Sequence, residues 1–112
     1  MKIRNWKEIP VTEPMTGLSK RVAIGPEIGA SNFVMRIFEM QPGITSAYHS
    51  HPWEHEIYVI EGRGAAVDND GEKAAIQKGD VIFIPPNEKH SLANAGTAPL
   101  QFICLVPAEG DQ

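Results

Sequence analysis

Four histidines, His49, His51, His55 and His90, are the residues in this chain whose type and spacing best suit chemistry. A transition metal such as Zn, Cu, Fe or Ni needs neutral imidazole nitrogens converging from several strands onto a rigid frame. His49 and His51 stand two apart, so on an extended strand both rings project from one face. His55 comes four residues later, beyond Pro52, which breaks strand geometry and lets a corner carry His55 back toward the same point. With His55 facing inward, Ile57 and Val59 share its face, while Glu56, Tyr58 and Ile60 face the other way. His90 lies in Asn87-Glu88-Lys89-His90-Ser91-Leu92, just after a proline turn, where another strand re-enters. A lone histidine is more often a surface or satisfied core residue than a ligand. Four together, with none spent elsewhere in the chain, point to a metal site.

Once all four histidines are assigned to metal, no base remains for a Ser-His-Asp or Cys-His nucleophile. Neither a glycine-rich phosphate loop nor paired cysteines for a zinc finger is present. The His-x-His-x3-His string also lacks the aspartate of the metallo-hydrolase pattern His-x-His-x-Asp-His.

Short strands must position these rings. The chain has 112 residues, enough for one domain with a modest core. Gly 10 and Pro 9 accompany 42% hydrophobic residues, so turns punctuate a packed protein. No 12-residue segment carries a capped 3.6-residue apolar period, and little helix is expected. Short apolar or alternating runs recur at Arg21–Ile24, Phe33–Met40, Ser46–His49, His55–Glu61, Ala65–Asp68, Lys73–Ile76, Val81–Ile84, Ser91–Ala93 and Leu100–Val106. The expectation is a single all-β domain over residues 1–112, a sandwich or barrel.

In Phe33–Met40 the row Val34, Arg36, Phe38, Met40 alternates with Phe33, Met35, Ile37, Glu39. In Leu100–Val106, Leu100, Phe102, Cys104 and Val106 alternate with Gln101, Ile103 and Leu105. Both faces are apolar, so the outer row needs a cover, most simply an identical subunit. A homodimer is expected, with residues 1–20 an N-terminal arm or edge strand at its interface; the alternative is a two-sheet sandwich that packs those rows internally. Arg36, Leu92, Phe102 and Cys104 fall on the inward rows and are the candidate substrate pocket. Their largely apolar character favours a small nonpolar or aromatic substrate. Arg36 is out of place in such a row unless it meets an anion or reaches solvent at a rim.

Net charge is −4, and no basic cluster exceeds Lys20-Arg21, so nucleic acid is not an expected partner. The N-terminus has no apolar signal region, and no stretch approaches the roughly 18 apolar residues of a membrane span. Neither a membrane partner nor an export route is expected. A single cysteine, Cys104, agrees with a reducing, cytoplasmic setting.

The sequence resembles the cupins. Their first motif, a glycine, five residues, His-x-His, three or four residues, a glutamate, six residues and a glycine, reads here PGITSAYHSHPWEHEIYVIEG from Pro42 to Gly62, with Gly43, His49, His51 and Gly62 in place. The second motif reads GDVIFIPPNEKHSLAN, matching at Gly79, Pro85, His90 and Asn94. His55 occupies the usual glutamate position, and Asn87 replaces the motif glycine. Asparagine tolerates a left-handed backbone better than most residues, so the turn is expected to survive.

The resemblance implies a jelly-roll β-barrel with one metal inside. Four histidines, the string HSHPWEHEI and the tail FICLVPAEG are similar to small manganese-binding cupins, which include homodimers with oxygenase-type activity. That puts Mn first, ahead of Fe, Ni or Zn. Four neutral ligands leave the metal's charge uncompensated and, in octahedral geometry, two positions open for dioxygen, peroxide or a chelating substrate. The expected function is an oxygenase-like metalloprotein acting on a small apolar or aromatic molecule. The alternatives are a non-catalytic metal- or ligand-binding module and a metal-assisted isomerase or lyase.

Overall fold

Alternation along the strands decides the architecture. In the computed structural model, which describes residues 1–111, the chain forms β1 (Thr12–Met15), β2 (Leu18–Ile24), β3 (Phe33–Met40), β4 (His55–Glu61), β5 (Arg63–Val67), β6 (Lys73–Gln77), β7 (Val81–Ile84), β8 (Ser91–Ala93) and β9 (Leu100–Pro107). Only single 3-10 turns interrupt them, at Trp6–Glu8, Pro26–Ile28 and Ala108–Gly110. Among the described residues, no helix is long and apolar enough to cross a membrane.

The strands build a six-stranded sheet, ordered β1-β2-β3-β9-β4-β7, and a three-stranded sheet, ordered β6-β5-β8. All pairings are antiparallel. The two sheets face each other as an all-β jelly roll whose wall is not closed by a continuous ladder. β9 alternates buried and half-buried positions along its whole length. Its inward row stands directly opposite that of β3: Val34 pairs with Val106, Arg36 with Cys104, Phe38 with Phe102 and Met40 with Leu100. Val34, Met40, Val59 and Leu100 are fully buried, joined by Ile76 of β6 and Leu92 of β8 from the facing sheet. Each such side chain contributes about 1.5–3 kcal/mol of burial free energy.

The outer row finds a cover within the chain itself over β2 and β3. Ile9 packs with Ala23 and Ile37, flanked by Trp6, Met35 and Ile103, so part of the surface expected to need a second subunit is closed by the N-terminal segment. Residues 1–20 hold the Trp6–Glu8 turn, the edge strand β1 and the start of β2. On β4 and β7 the outer positions Tyr58, Val81 and Phe83 remain exposed.

Three strand expectations differ from the structure, one of them β5, which runs Arg63–Val67 rather than Ala65–Asp68. Ser46–His49 is not a strand: only isolated bridges occur there, Thr45 with Ala93 and His49 with His90. The Ser46 hydroxyl accepts the Leu92 N–H at 2.9 Å, replacing a backbone carbonyl and interrupting the ladder. β2 begins at Leu18 rather than Arg21, and β1 forms over Thr12–Met15, where Pro14 is tolerated because the strand lies at the sheet edge.

The corner between the sheets depends on Gly62. Its φ is +97°, and a Cβ there would lie 2.5 Å from the Pro99 carbonyl oxygen. Asn87, in place of the motif glycine, adopts φ 67°, so the left-handed turn is kept.

Candidate functional site

His49 and His90 form an antiparallel backbone pair. The His49 N–H donates to the His90 carbonyl at 3.1 Å and the His90 N–H to the His49 carbonyl at 2.9 Å, which sets the two rings 5.2 Å apart. Two residues on, the His51 ring lies 4.3 Å from that of His49. The turn at Pro52 then reverses the chain into β4, whose first residue, His55, faces inward opposite Ile84 of β7. Its ring centroid is 5.2 Å from that of His51 and 4.9 Å from that of His90. Asn87 ties the two segments together by donating its N–H to the His51 carbonyl at 2.6 Å. The structure therefore brings all four histidine rings into one cluster. Ligand nitrogens of His49, His51 and His90 lie within 4.8 Å of one another, with His55 adjoining.

Side-chain partners set which nitrogens are free. His90 Nδ1 lies 2.8 Å from the Glu88 carbonyl, which can only accept, so Nδ1 carries the hydrogen and Nε2 presents its lone pair. His55 Nδ1 lies 3.4 Å from Cys104 Sγ, and its Nε2 is buried without a hydrogen-bond partner among the described residues. Burial pushes the His55 imidazole from 6.5 to about 3, with the charges of His90 and Arg36 next in importance. Burial, and then neighbouring cations, also hold His49 and His51 below their usual value. His49, His51 and His55 are thus neutral at pH 7. An orphaned buried nitrogen costs about 1–3 kcal/mol unless something meets it. A divalent transition metal fits this donor set of neutral imidazoles without carboxylates. His49, His51, His55 and His90 are the residues that could hold it.

The cluster opens into a cavity of about 470 Å³. Arg36, Leu92, Phe102 and Cys104, the candidate pocket residues, all line it. Phe38 stacks on Phe102 with centroids 5.3 Å apart. Trp53 stacks on His51 at 4.8 Å and 6°, and a Cβ on Gly110 would meet the indole nitrogen at 2.9 Å, so the rim is closely packed. Glu54 is exposed. Arg36 is buried and donates from Nη2 to Cys104 Sγ at 3.0 Å; it does not snorkel to a rim. Burial raises the Cys104 thiol above its usual value despite the opposing Arg36 charge, so the thiol is protonated. A separate concavity of about 420 Å³ on the outer face of β4, β7 and β9 carries no histidine or cysteine.

Lys20, which lines the cavity, and Asp111, which meets Lys20 and Arg36 from behind that lining, escaped the sequence reading. Asp111 Oδ1 lies 2.6 Å from Lys20 Nζ and 3.6 Å from Arg36 Nη1. Lys20 shares strand parity with Leu18 and Val22 and pairs with Phe38, a signal visible only if β2 is started early enough. Nothing local to Asp111 marks it. Asn94, matched in the second motif, is structural: its Nδ2 donates to the carbonyls of Met40 and Ala98, each at 2.9 Å.

Comparison with known proteins decides the family. The cupin domain model matches residues 36–106. The chain belongs to the cupin family. Among solved structures, this cupin is similar to the polyketide cyclase RemF from Streptomyces resistomycificus, at 30% identity and a TM-score of 0.91, covering 96% of this chain and 80% of that one. In sequence it is 36% identical over 69 residues to an oxalate-binding protein of Thermotoga maritima, covering 61% of this chain and 56% of that protein. It is also 32% identical over 96 residues to the polyketide synthase CurC of Streptomyces cyaneus, covering 85% and 62% respectively. The chain spans about half to three-fifths of the length of such curated relatives.

Proposed function

We propose that this cupin is a metal-dependent, oxygenase-like enzyme acting on a small apolar or aromatic substrate, with His49, His51, His55 and His90 as metal ligands. The observation that carries the reading is the convergence of four imidazoles, one with an orphaned buried nitrogen, on a cavity walled by Phe38, Phe102 and Leu92. A divalent metal, Mn first and then Fe, Ni or Zn, would supply an uncompensated double positive charge and open positions at which dioxygen or peroxide is activated beside the substrate. The chain's own residues do the rest. Glu88 fixes the His90 tautomer, Trp53 braces His51, and the phenylalanines exclude water from the substrate frame.

A second reading, metal-assisted cyclisation or isomerisation without oxygen, is favoured by the likeness to RemF, a polyketide cyclase. One experiment separates the two. The protein, purified without chelators, is assayed for metal by elemental analysis and for oxygen uptake with aromatic enol substrates, beside a His90→Ala variant. One metal per chain, oxygen consumed with product, and loss of both in the folded variant support the first reading. Turnover that persists without oxygen selects the second, and a metal-free native protein overturns both.

The protein works as a homodimer in a reducing cytoplasm on this proposal. The free, buried Cys104 and the exposed outer faces of β4 and β7 support it. So does an accessible surface of 6789 Å², against about 6,100 Å² expected for a monomer of this mass.

A further inference from the structure

Arg36 is nine-tenths buried in an otherwise apolar row of β3. A guanidinium in such a place is costly unless its donors are met, and here they are met poorly. Nη2 reaches only the sulfur of Cys104, a weak acceptor, at 3.0 Å. Nε is buried and, among the described residues, has no hydrogen-bond partner. Nη1 lies 3.6 Å from Asp111 Oδ1, and that oxygen, buried in turn, finds charge partners in Arg36 and Lys20 but no aligned hydrogen bond. Among the described residues, those lining the cavity include Lys20 and Arg36 but no aspartate or glutamate. Beside the two cations stands an aromatic step: the Arg36 guanidinium lies 5.1 Å from the Phe38 ring centroid, and Phe38 stacks on Phe102.

We propose that Arg36 and Lys20 form a carboxylate-binding subsite of the histidine cavity, that the substrate carries a carboxylate on an apolar or aromatic frame, and that Asp111 occupies this subsite until the substrate displaces it. The inference deepens the reading of the cavity as a substrate site and rests on it. A planar guanidinium with unmet donors matches a carboxylate in two-point geometry, which the Asp111 side chain does not achieve. The frame of such a ligand lies against Phe38 and Phe102. From there the chain of contacts runs from Arg36 through Cys104 Sγ to His55 Nδ1, so a carboxylate at Arg36 places the rest of the molecule beside the four imidazoles. Arg36 and Lys20 then act as specificity-determining residues, and Asp111 as the competitor any ligand must replace.

Benzoate, which carries a carboxylate on one aromatic ring, is the probe, and benzamide, of the same shape without the charge, is the control. Binding of each is measured by titration calorimetry on the metal-bound protein and on Lys20→Met and Asp111→Asn variants, because Arg36 substitutions risk the fold. The expected result is benzoate binding that weakens about tenfold or more in Lys20→Met and tightens by a similar factor in Asp111→Asn, the scale of one charge-assisted hydrogen bond. Benzamide is expected to bind weakly and alike to all three proteins. Opposite shifts in the two variants cannot come from a general loss of packing. Benzoate binding that ignores both substitutions, shifts the same way in both, or equals that of benzamide overturns the subsite. Charge-dependent benzoate binding in a protein that turns over no substrate keeps the subsite and removes the enzymatic reading. Oxygen-dependent turnover of uncharged substrates, insensitive to Lys20 and Asp111, does the reverse.

Discussion

Burial holds His55 far below the range in which an exposed imidazole titrates, at about 3 against 6.5. The sign of the consequence follows from proton counting. Above about pH 6.5, His55 is neutral in both the folded and the unfolded chain, and its effect on stability is nil. As pH falls below 6.5, the unfolded chain takes up a proton that the folded one refuses until about pH 3, so folding loses free energy across that window. His49 and His51 shift the same way, by smaller burial. Chelator-treated protein is therefore expected to melt several degrees lower at pH 5 than at pH 7.5, and His55→Gln to show a smaller difference. A melting temperature unchanged over that range contradicts the burial argument. Metal binding requires the same neutral nitrogens, so His49, His51 and His55 are prepared for a cation by the desolvation that destabilises them in acid.

At the scale of elements, the corner between β4 and β5 is the step that lets one chain build two facing sheets. Gly62 takes it with φ +97°, and a Cβ there would lie 2.5 Å from the Pro99 carbonyl oxygen, well inside van der Waals contact. Gly62→Ala adds both a left-handed penalty and a clash with backbone that has nowhere to go, together about 2–5 kcal/mol. Gly71, at φ +78° with nothing within 4 Å of a built Cβ, meets only the first term, so Gly71→Ala is expected to cost about 1–2 kcal/mol. Denaturant melts of the two variants compare them directly; equal losses refute the role assigned to the Pro99 contact. Asn87 shows the same physics in milder form, holding a left-handed turn at φ 67° where the motif has glycine. The motif match thus reads as a set of backbone requirements as much as a set of ligands.

For the whole molecule, the distribution of apolar surface matters most. The N-terminal segment covers the outer face of β2 and β3 through Trp6 and Ile9, leaving Tyr58, Val81 and Phe83 uncovered on β4 and β7. Those three residues lie on cross-strand pairs, Tyr58 with Val81 and Glu56 with Phe83, and form one continuous patch. The proposed homodimer is expected to run at twice the 12.3 kDa chain mass in light scattering. The double variant Val81→Lys, Phe83→Lys is expected to run as a monomer with unchanged circular dichroism. A wild-type chain that scatters as a monomer removes this proposal and leaves the metal site untouched, since all four histidines come from one chain.

Periodicity and motif spacing alone determined the all-β class, the inward rows of β3, β4 and β9, and the four histidines as one group. These are local properties: a period of two assigns faces, and proline and glycine mark corners. The missed pieces are those whose local signal was weak or absent. Ser46 stopped a strand by a side-chain bond to a segment 46 residues away. Lys20 and Asp111 lie 91 positions apart in sequence, and only the packing of β2 against β3 and of the turn after β9 onto the cavity mouth places their charges 2.6 Å from each other. Which surface the N-terminal segment covers was likewise a tertiary matter, because Trp6 and Ile9 carry no period of their own. Contacts between distant segments depend on chain closure in three dimensions, and no window along the sequence contains both partners.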